Sequence, residues 1–336
     1  MKRPRFLPDN FTLMLITCVV LASILPCRGV VAAGFNQLTN VAISLLFFLH
    51  GAKLSREAAL AGLTHWRLHL TVLAATFVLF PVLGVVLHPV LEPLVTPALY
   101  LGILYICVLP STVQSSIAFT SVAHGNIPAA VCSASASSLI GIFITPLLVG
   151  LLVMPHSGAG GIDSGSAVMQ IIELLLIPFI AGQIARRWIY SWIQRHPILV
   201  KIVDQGSILL VVYTAFSEAI NEGLWHQLPL PALLGVAIVS AILLAIMMLI
   251  TTFGSRLLGF NKEDEITIVF CGSKKSLASG IPMAKVLFVG HPIGMLVLPL
   301  MLFHQLQLMV CAVLAQRYAN RLKHVTVKHA EDVAAS

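Results

Sequence analysis

The chain has 336 residues, 58% of them hydrophobic and only 10% charged, with a formal net charge of +7 and a mean hydropathy of +0.96. That composition lies far from an ordinary globular domain and leaves little length for any soluble one. Because the basic residues flank apolar runs, the positive charge calls for a membrane reading and no nucleic-acid partner.

A basic start, Met1-Lys-Arg-Pro-Arg5, precedes the apolar run Phe11–Leu25. With Val31-Ala-Ala33 it imitates a secretory signal, but another apolar run follows at once, so an uncleaved first helix is expected. Apolar runs bounded by polar, Pro or Gly breaks then occur at 11–30, 36–52, 68–88, 98–122, 128–154, 168–187, 204–221, 231–254, 265–289 and 292–316. They predict an all-α membrane protein of ten transmembrane helices. With the N-terminus in the cytoplasm, the segments between spans place all but four of the 20 Lys and Arg on the inner side. Arg28 and Lys285 fall outside, and Lys274 and Lys275 remain in the membrane. This asymmetry requires an even number of spans, so both termini are expected in the cytoplasm of a cell (inner or plasma) membrane. The six cysteines are scattered through apolar runs without metal-ligand spacing and read as small helix-packing residues.

Residues 1–154 and 168–318 each hold five spans, joined by a glycine-rich outer loop at 155–167 and followed by a cytoplasmic tail at 319–336, whose polar part from His324 to Ser336 is expected to be irregular. Halves of five spans enter the membrane from opposite sides, the arrangement of inverted repeats. The fourth span of each is interrupted. In the first, Leu109-Pro-Ser-Thr-Val-Gln-Ser-Ser116 places a proline and five polar side chains at mid-membrane; in the second, Gly272–Gly280 carries Lys274 and Lys275 among serines. Proline removes a backbone donor and glycine eases unwinding, so both read as discontinuous helices, here spans 4 and 9. Each half also ends on a span with a mid-helix proline, Pro146 or Pro299.

A lysine at the bilayer centre costs roughly 2.5–3.5 kcal/mol on insertion scales, so two adjacent ones must be surrounded by protein, water or ligand. Where half-helices end, unpaired carbonyls carry partial negative charge. A lysine there either donates its three N–H groups to those carbonyls as a structural element, or pairs with an anionic substrate or a transferable proton. Neighbours on a helix differ by about 100° in direction, so the two lysines do not share one role. Thr112, Gln114, Ser115, Ser116, Ser273 and Ser276 are expected to line the crossing with them. Ser133, within the run 133–138, and His304 are further candidates; close helix packing and inter-helix hydrogen bonding are the competing explanations. Glu173 and Glu218 either pair with a lysine or face water near a helix end. No P-loop, G-x-S-x-G elbow, H-E-x-x-H or dinucleotide fingerprint occurs, so no enzyme is expected.

These features resemble the bile acid:sodium symporter family, in particular its divergent branch of bacterial symporters and sodium/bile acid cotransporter 7-like proteins. The most specific stretches are Leu45-Leu-Phe-Phe-Leu-His-Gly-Ala-Lys-Leu54, Leu109–Ser116, Gly125-Asn126 and Cys271-Gly-Ser-Lys-Lys-Ser-Leu-Ala278. The resemblance implies a panel domain of spans 1, 2, 6 and 7, and a core of spans 3–5 and 8–10 in which the two broken helices cross. It implies secondary active transport of a small organic anion coupled to sodium. Carried over residue by residue, the family's sodium-binding Ser-Asn pair falls on Ser116 and Ile117. Its fifth-span hydroxyls fall near Ala130 and Ala134, and its ninth-span glutamate and glutamine near Val269 and Ser273. The principal carboxylate is therefore replaced, and weak or no sodium dependence is expected; proton coupling is the other possibility, and no further cofactor is implied. The competing reading is a membrane regulatory or partner-binding protein that keeps the fold without transport.

Overall fold

The computed structural model describes residues 10–53, 65–153, 155, 172–221, 223, 230–288 and 293–334. The connecting loop expected at 155–167 and the basic start lie largely outside them. The described residues form helices and no strand. Among the described residues, six helices are long and apolar enough to cross a membrane.

Two N-terminal helices, α1 (Asn10–Ile24) and α2 (Gly29–Lys53), lead to α3 (Trp66–Val86), which widens into a π turn over Ala75–Leu79. A short helical link then reaches α4 (Pro97–Val108), α5 (Gln114–Val122) and α6 (Ile127–Val153). The second half contains α7 (Ile177–Arg195), α8 (Pro197–Asn221), α9 (Leu230–Leu257), α10 (Lys262–Gly272), α11 (Leu277–Leu287) and α12 (Ile293–Ala334). The tail expected to be irregular instead continues α12 to Ala334. From His324 onward it contains neither Gly nor Pro and several alanines, so nothing in its composition stops a helix already nucleated.

Helices α1, α2, α7 and α8 pack on one another, and α2 meets α7 through two reciprocal glycines. A Cβ on Gly51 would stand 2.1 Å from the Phe179 carbonyl oxygen, and one on Gly182 would stand 1.9 Å from that of Phe48. Only bare backbone permits this approach, the close contact that small residues provide between membrane helices. The remaining helices form a second group, in which α4 lies along α12 and α9 along α10 and α12. Here too glycines admit the neighbour: Gly102 faces Pro299, and Gly141 faces Pro110.

Charged contacts collect at the helix ends. Lys53 of α2 pairs with Asp204 near the start of α8. At the other end of α8, Glu218 pairs with Lys285 of α11 and Asn221 accepts from Arg28. Arg256 and Lys262 both pair with Glu265, joined by the Tyr318 hydroxyl. Between the ends, large apolar side chains such as Val20, Leu38, Ile184, Leu234 and Leu249 are exposed, as expected of surfaces that face lipid.

Candidate functional site

Both expected interruptions are present. Helix α4 stops at Val108, and Leu109 turns extended (φ −74°, ψ 155°) because Pro110 disfavours helical geometry in the residue before it. Helix α5 resumes at Gln114. In the second half, α10 starts on Asn261, whose side chain accepts from the Asp264 N–H at 2.8 Å, and stops at Gly272. Ser276, extended at ψ 113°, then caps α11 by accepting from the Ser279 N–H at 3.2 Å. The two breaks meet: the Ser276 N–H donates to the Pro110 carbonyl at 2.9 Å.

Each break satisfies carbonyls at the end of the other half-helix. On α10, the Phe270 carbonyl accepts from the Ser116 hydroxyl at 3.0 Å and the Cys271 carbonyl from that of Ser111. On α4, the Cys107 and Leu109 carbonyls accept from Lys275 Nζ at 2.8 and 2.7 Å, and Val108 accepts from Thr145 at 2.9 Å. These are the carbonyls that a helix terminus leaves without an internal partner. A third bond from Lys275 Nζ runs to the Thr76 carbonyl at 2.7 Å, inside the π turn of α3, where the regular ladder is interrupted. All three ammonium donors are thus used, with the Phe80 ring 4.2 Å away.

Lys274 is treated differently. It is equally buried, yet among the described residues its only hydrogen bond is a long one, 3.4 Å to the Ser115 hydroxyl. The rings of Phe119 and Phe270 lie 4.6 and 5.7 Å from its Nζ, and no carboxylate among the described residues pairs with it. Cation–π contact offsets part of the lost hydration but leaves two donors open. Its partner Ser115 is half-buried, and the neighbouring Gln114 at the start of α5 is exposed.

The other candidates divide. Thr112, Ser115 and Ser116 form one hydroxyl chain at 2.8 and 2.9 Å beside Lys274. Ser273 folds back on its own helix, donating to the Val269 carbonyl at 2.6 Å, and Ser276 serves as the cap. Ser133 stands a layer away on α6, hydrogen-bonded to buried His69 of α3 at 2.7 Å. His304 lies behind Lys275: its Nδ1 accepts from Gln307 Nε2 at 2.9 Å. Gln307 in turn clamps the Lys275 backbone, accepting from its N–H and donating to its carbonyl, both at 2.9 Å. Glu218 takes the lysine-paired course, with Lys285 at 3.0 Å.

Sequence reasoning anticipated carbonyl partners for one of the two lysines, but not which lysine or which carbonyls, and it missed the rings about Lys274 and the His69–Ser133 pair. Carbonyls have no side-chain signature, and Phe119 and Phe270 read as ordinary apolar positions. Among the described residues no group of three or more His, Cys, Asp or Glu side chains could hold a metal ion.

A family profile described as the SBF-like CPA transporter family matches residues 9–320. Over 321 residues the chain is 64% identical to an uncharacterized protein of Pseudomonas aeruginosa, covering 96% of each chain. It is 57% identical over 317 residues to the Escherichia coli K12 protein named "Putative symporter YfeH", covering 94% of this chain and 95% of that one. Similarity extends to Sodium/bile acid cotransporter 7-A of Xenopus laevis, 31% identical over 318 residues, 92% of this chain and 91% of the other.

Proposed function

This chain belongs to the SBF-like CPA transporter family, and from that premise we propose that it is a secondary active carrier of a small organic anion, working by alternating access. The observation that carries the reading is Lys274: a buried cation with open donors, at the meeting point of two helix breaks and next to the exposed start of α5. A carboxylate, sulfate or sulfonate supplies the acceptors this ammonium lacks. Thr112, Ser115 and Ser116 would bind the same group, with Gln114 at the entrance and Ser273 and Ser276 shaping the break.

In this reading ten spans form two inverted repeats, 1–154 and 168–318, with both termini cytoplasmic in the cell membrane. Helices α1, α2, α7 and α8 make a panel, and the others a core that rocks against it. The packing of α1 on α8 and of α2 on α7 supports the repeat, because exchanging the halves turns one contact into the other. Bile acids, named in the relatives from Xenopus, and sulfated steroids are the first substrates to try. Sodium coupling is weak or absent, since the Ser-Asn pair and the ninth-span carboxylate are replaced here.

Uptake of a labelled bile acid and a labelled steroid sulfate into proteoliposomes tests this reading. Expected is saturable uptake of at least one, nearly unchanged when sodium is replaced by choline. Absence of flux for either probe and for a broader set of organic anions would point instead to a membrane protein without transport.

A further inference from the structure

Lys275 and Lys274 are adjacent and equally buried, yet the protein surrounds them by opposite means. Three backbone oxygens, from Thr76, Cys107 and Leu109, converge on Lys275 Nζ at 2.7, 2.8 and 2.7 Å. They come from two separate helices, and two of them sit at the negative end of α4. Convergent carbonyl oxygens in a dry interior replace the hydration shell of a small monovalent cation. The cage is held from outside the lysine side chain. Gln307 fixes the backbone of residue 275, and the Ser276–Pro110 bond fixes one break against the other.

We propose that the Thr76, Cys107 and Leu109 carbonyls form a monovalent-cation site that this chain fills permanently with the tethered ammonium of Lys275. The crossing then has its positive charge at this position in every step of a transport cycle. No free ion has to bind there or leave. This rests on the carrier reading for its consequence on ion coupling, but the site itself can be tested without any flux.

The test compares melting temperatures of the purified full chain, Lys275→Ala and Lys275→Met in choline chloride at constant ionic strength. Ammonium, methylammonium, sodium or potassium then replaces choline. Expected for the wild type is a shift below about 1 °C between salts, because its site is already filled. Lys275→Ala should melt about 5 °C or more lower, with three buried carbonyls left unpaired. At least half of that loss should return with ammonium, methylammonium or one alkali cation. Lys275→Met, whose chain occupies the space, should fall without recovering.

A folded Lys275→Ala that responds to no cation beyond choline overturns the proposal, as does equal recovery by Lys275→Met. The wild-type arm needs no variant: selective stabilisation of the native chain by sodium or potassium also overturns it. Cation rescue of the alanine variant without flux in liposomes would fault the carrier reading and leave the cation site standing.

Discussion

Gln307 holds the peptide backbone of Lys275 from both sides, accepting from its N–H and donating to its carbonyl at 2.9 Å each. One amide thereby ties α12 to the break between α10 and α11, where no helical ladder is available to either group. Gln307→Leu keeps the approximate volume and removes both bonds. An unpaired buried backbone group costs about 1–3 kcal/mol, so a clear fall in melting temperature is expected. Gln307→Glu retains the acceptor and should lie between leucine and wild type. A leucine variant as stable as the wild type would show that the clamp is incidental.

Lys274 should behave in the opposite sense. With one long bond and two rings for company, its ammonium recovers little of the hydration it gave up. Replacing a poorly paired buried charge by an apolar chain of similar length is often neutral or stabilising. Lys274→Met is therefore expected to melt at or above the wild-type temperature, measured by the same thermal scan. A loss comparable to that of Lys275→Ala would mean that Lys274 is a structural cation as well.

Glu218 and Lys285 link α8 to α11 across the proposed panel–core boundary, with Glu218 43% and Lys285 12% exposed. Exposure limits such a pair to about 1 kcal/mol or less of stability, so single substitutions should barely move the melting temperature. In a rocking carrier the same energy biases one state over the other. Glu218→Lys alone is expected to change initial uptake about 3-fold or more, and adding Lys285→Glu should restore it. Unchanged uptake in all three proteins would place the pair outside the moving boundary.

Gly51 and Gly182 set the spacing of α2 and α7. Since either Cβ would lie about 2 Å from a carbonyl oxygen of the other helix, Gly51→Ala and Gly182→Ala each force the pair apart. Overpacking of this kind costs about 1–3 kcal/mol, so both variants should melt earlier, and Gly206→Ala, with open space around it, should not. Equal stability in all three would contradict the packing described.

Much of this architecture was legible from residue pattern. The breaks at Leu109–Val113 and after Gly272 follow from Pro110, from glycine and from serines in otherwise apolar runs. The burial of both lysines followed from where they fall in the ninth run. That the two would differ was legible, but which lysine takes which role was not, because it depends on the direction of each side chain once the helix has stopped. That a lysine would bond carbonyls at a helix end was legible, but which main-chain oxygens form the cage around Lys275 was not, because they leave no side-chain pattern. Its Thr76 member depends on a π turn in α3 just ahead of Pro81, a proline that brings no N–H to the ladder and whose signal the sequence reading did not use. Ser133 illustrates the converse. Its polarity in an apolar run suggested the crossing, but its partner is His69, a buried histidine that periodicity alone treats as one more interior residue.

The decisive experiment is uptake of a labelled bile acid and a labelled steroid sulfate into proteoliposomes containing wild type or Lys274→Met, with equal folded protein in each. If Lys274 is the cargo-facing cation, the wild type transports at least one of these anions. The methionine variant, intact by thermal scan, should lose about 10-fold or more of that rate, as expected when a charge-assisted contact to the anion is removed. Wild-type rates from the methionine variant would show that the anion pairs with some other group and that the buried charge of Lys274 serves no part in carrying it.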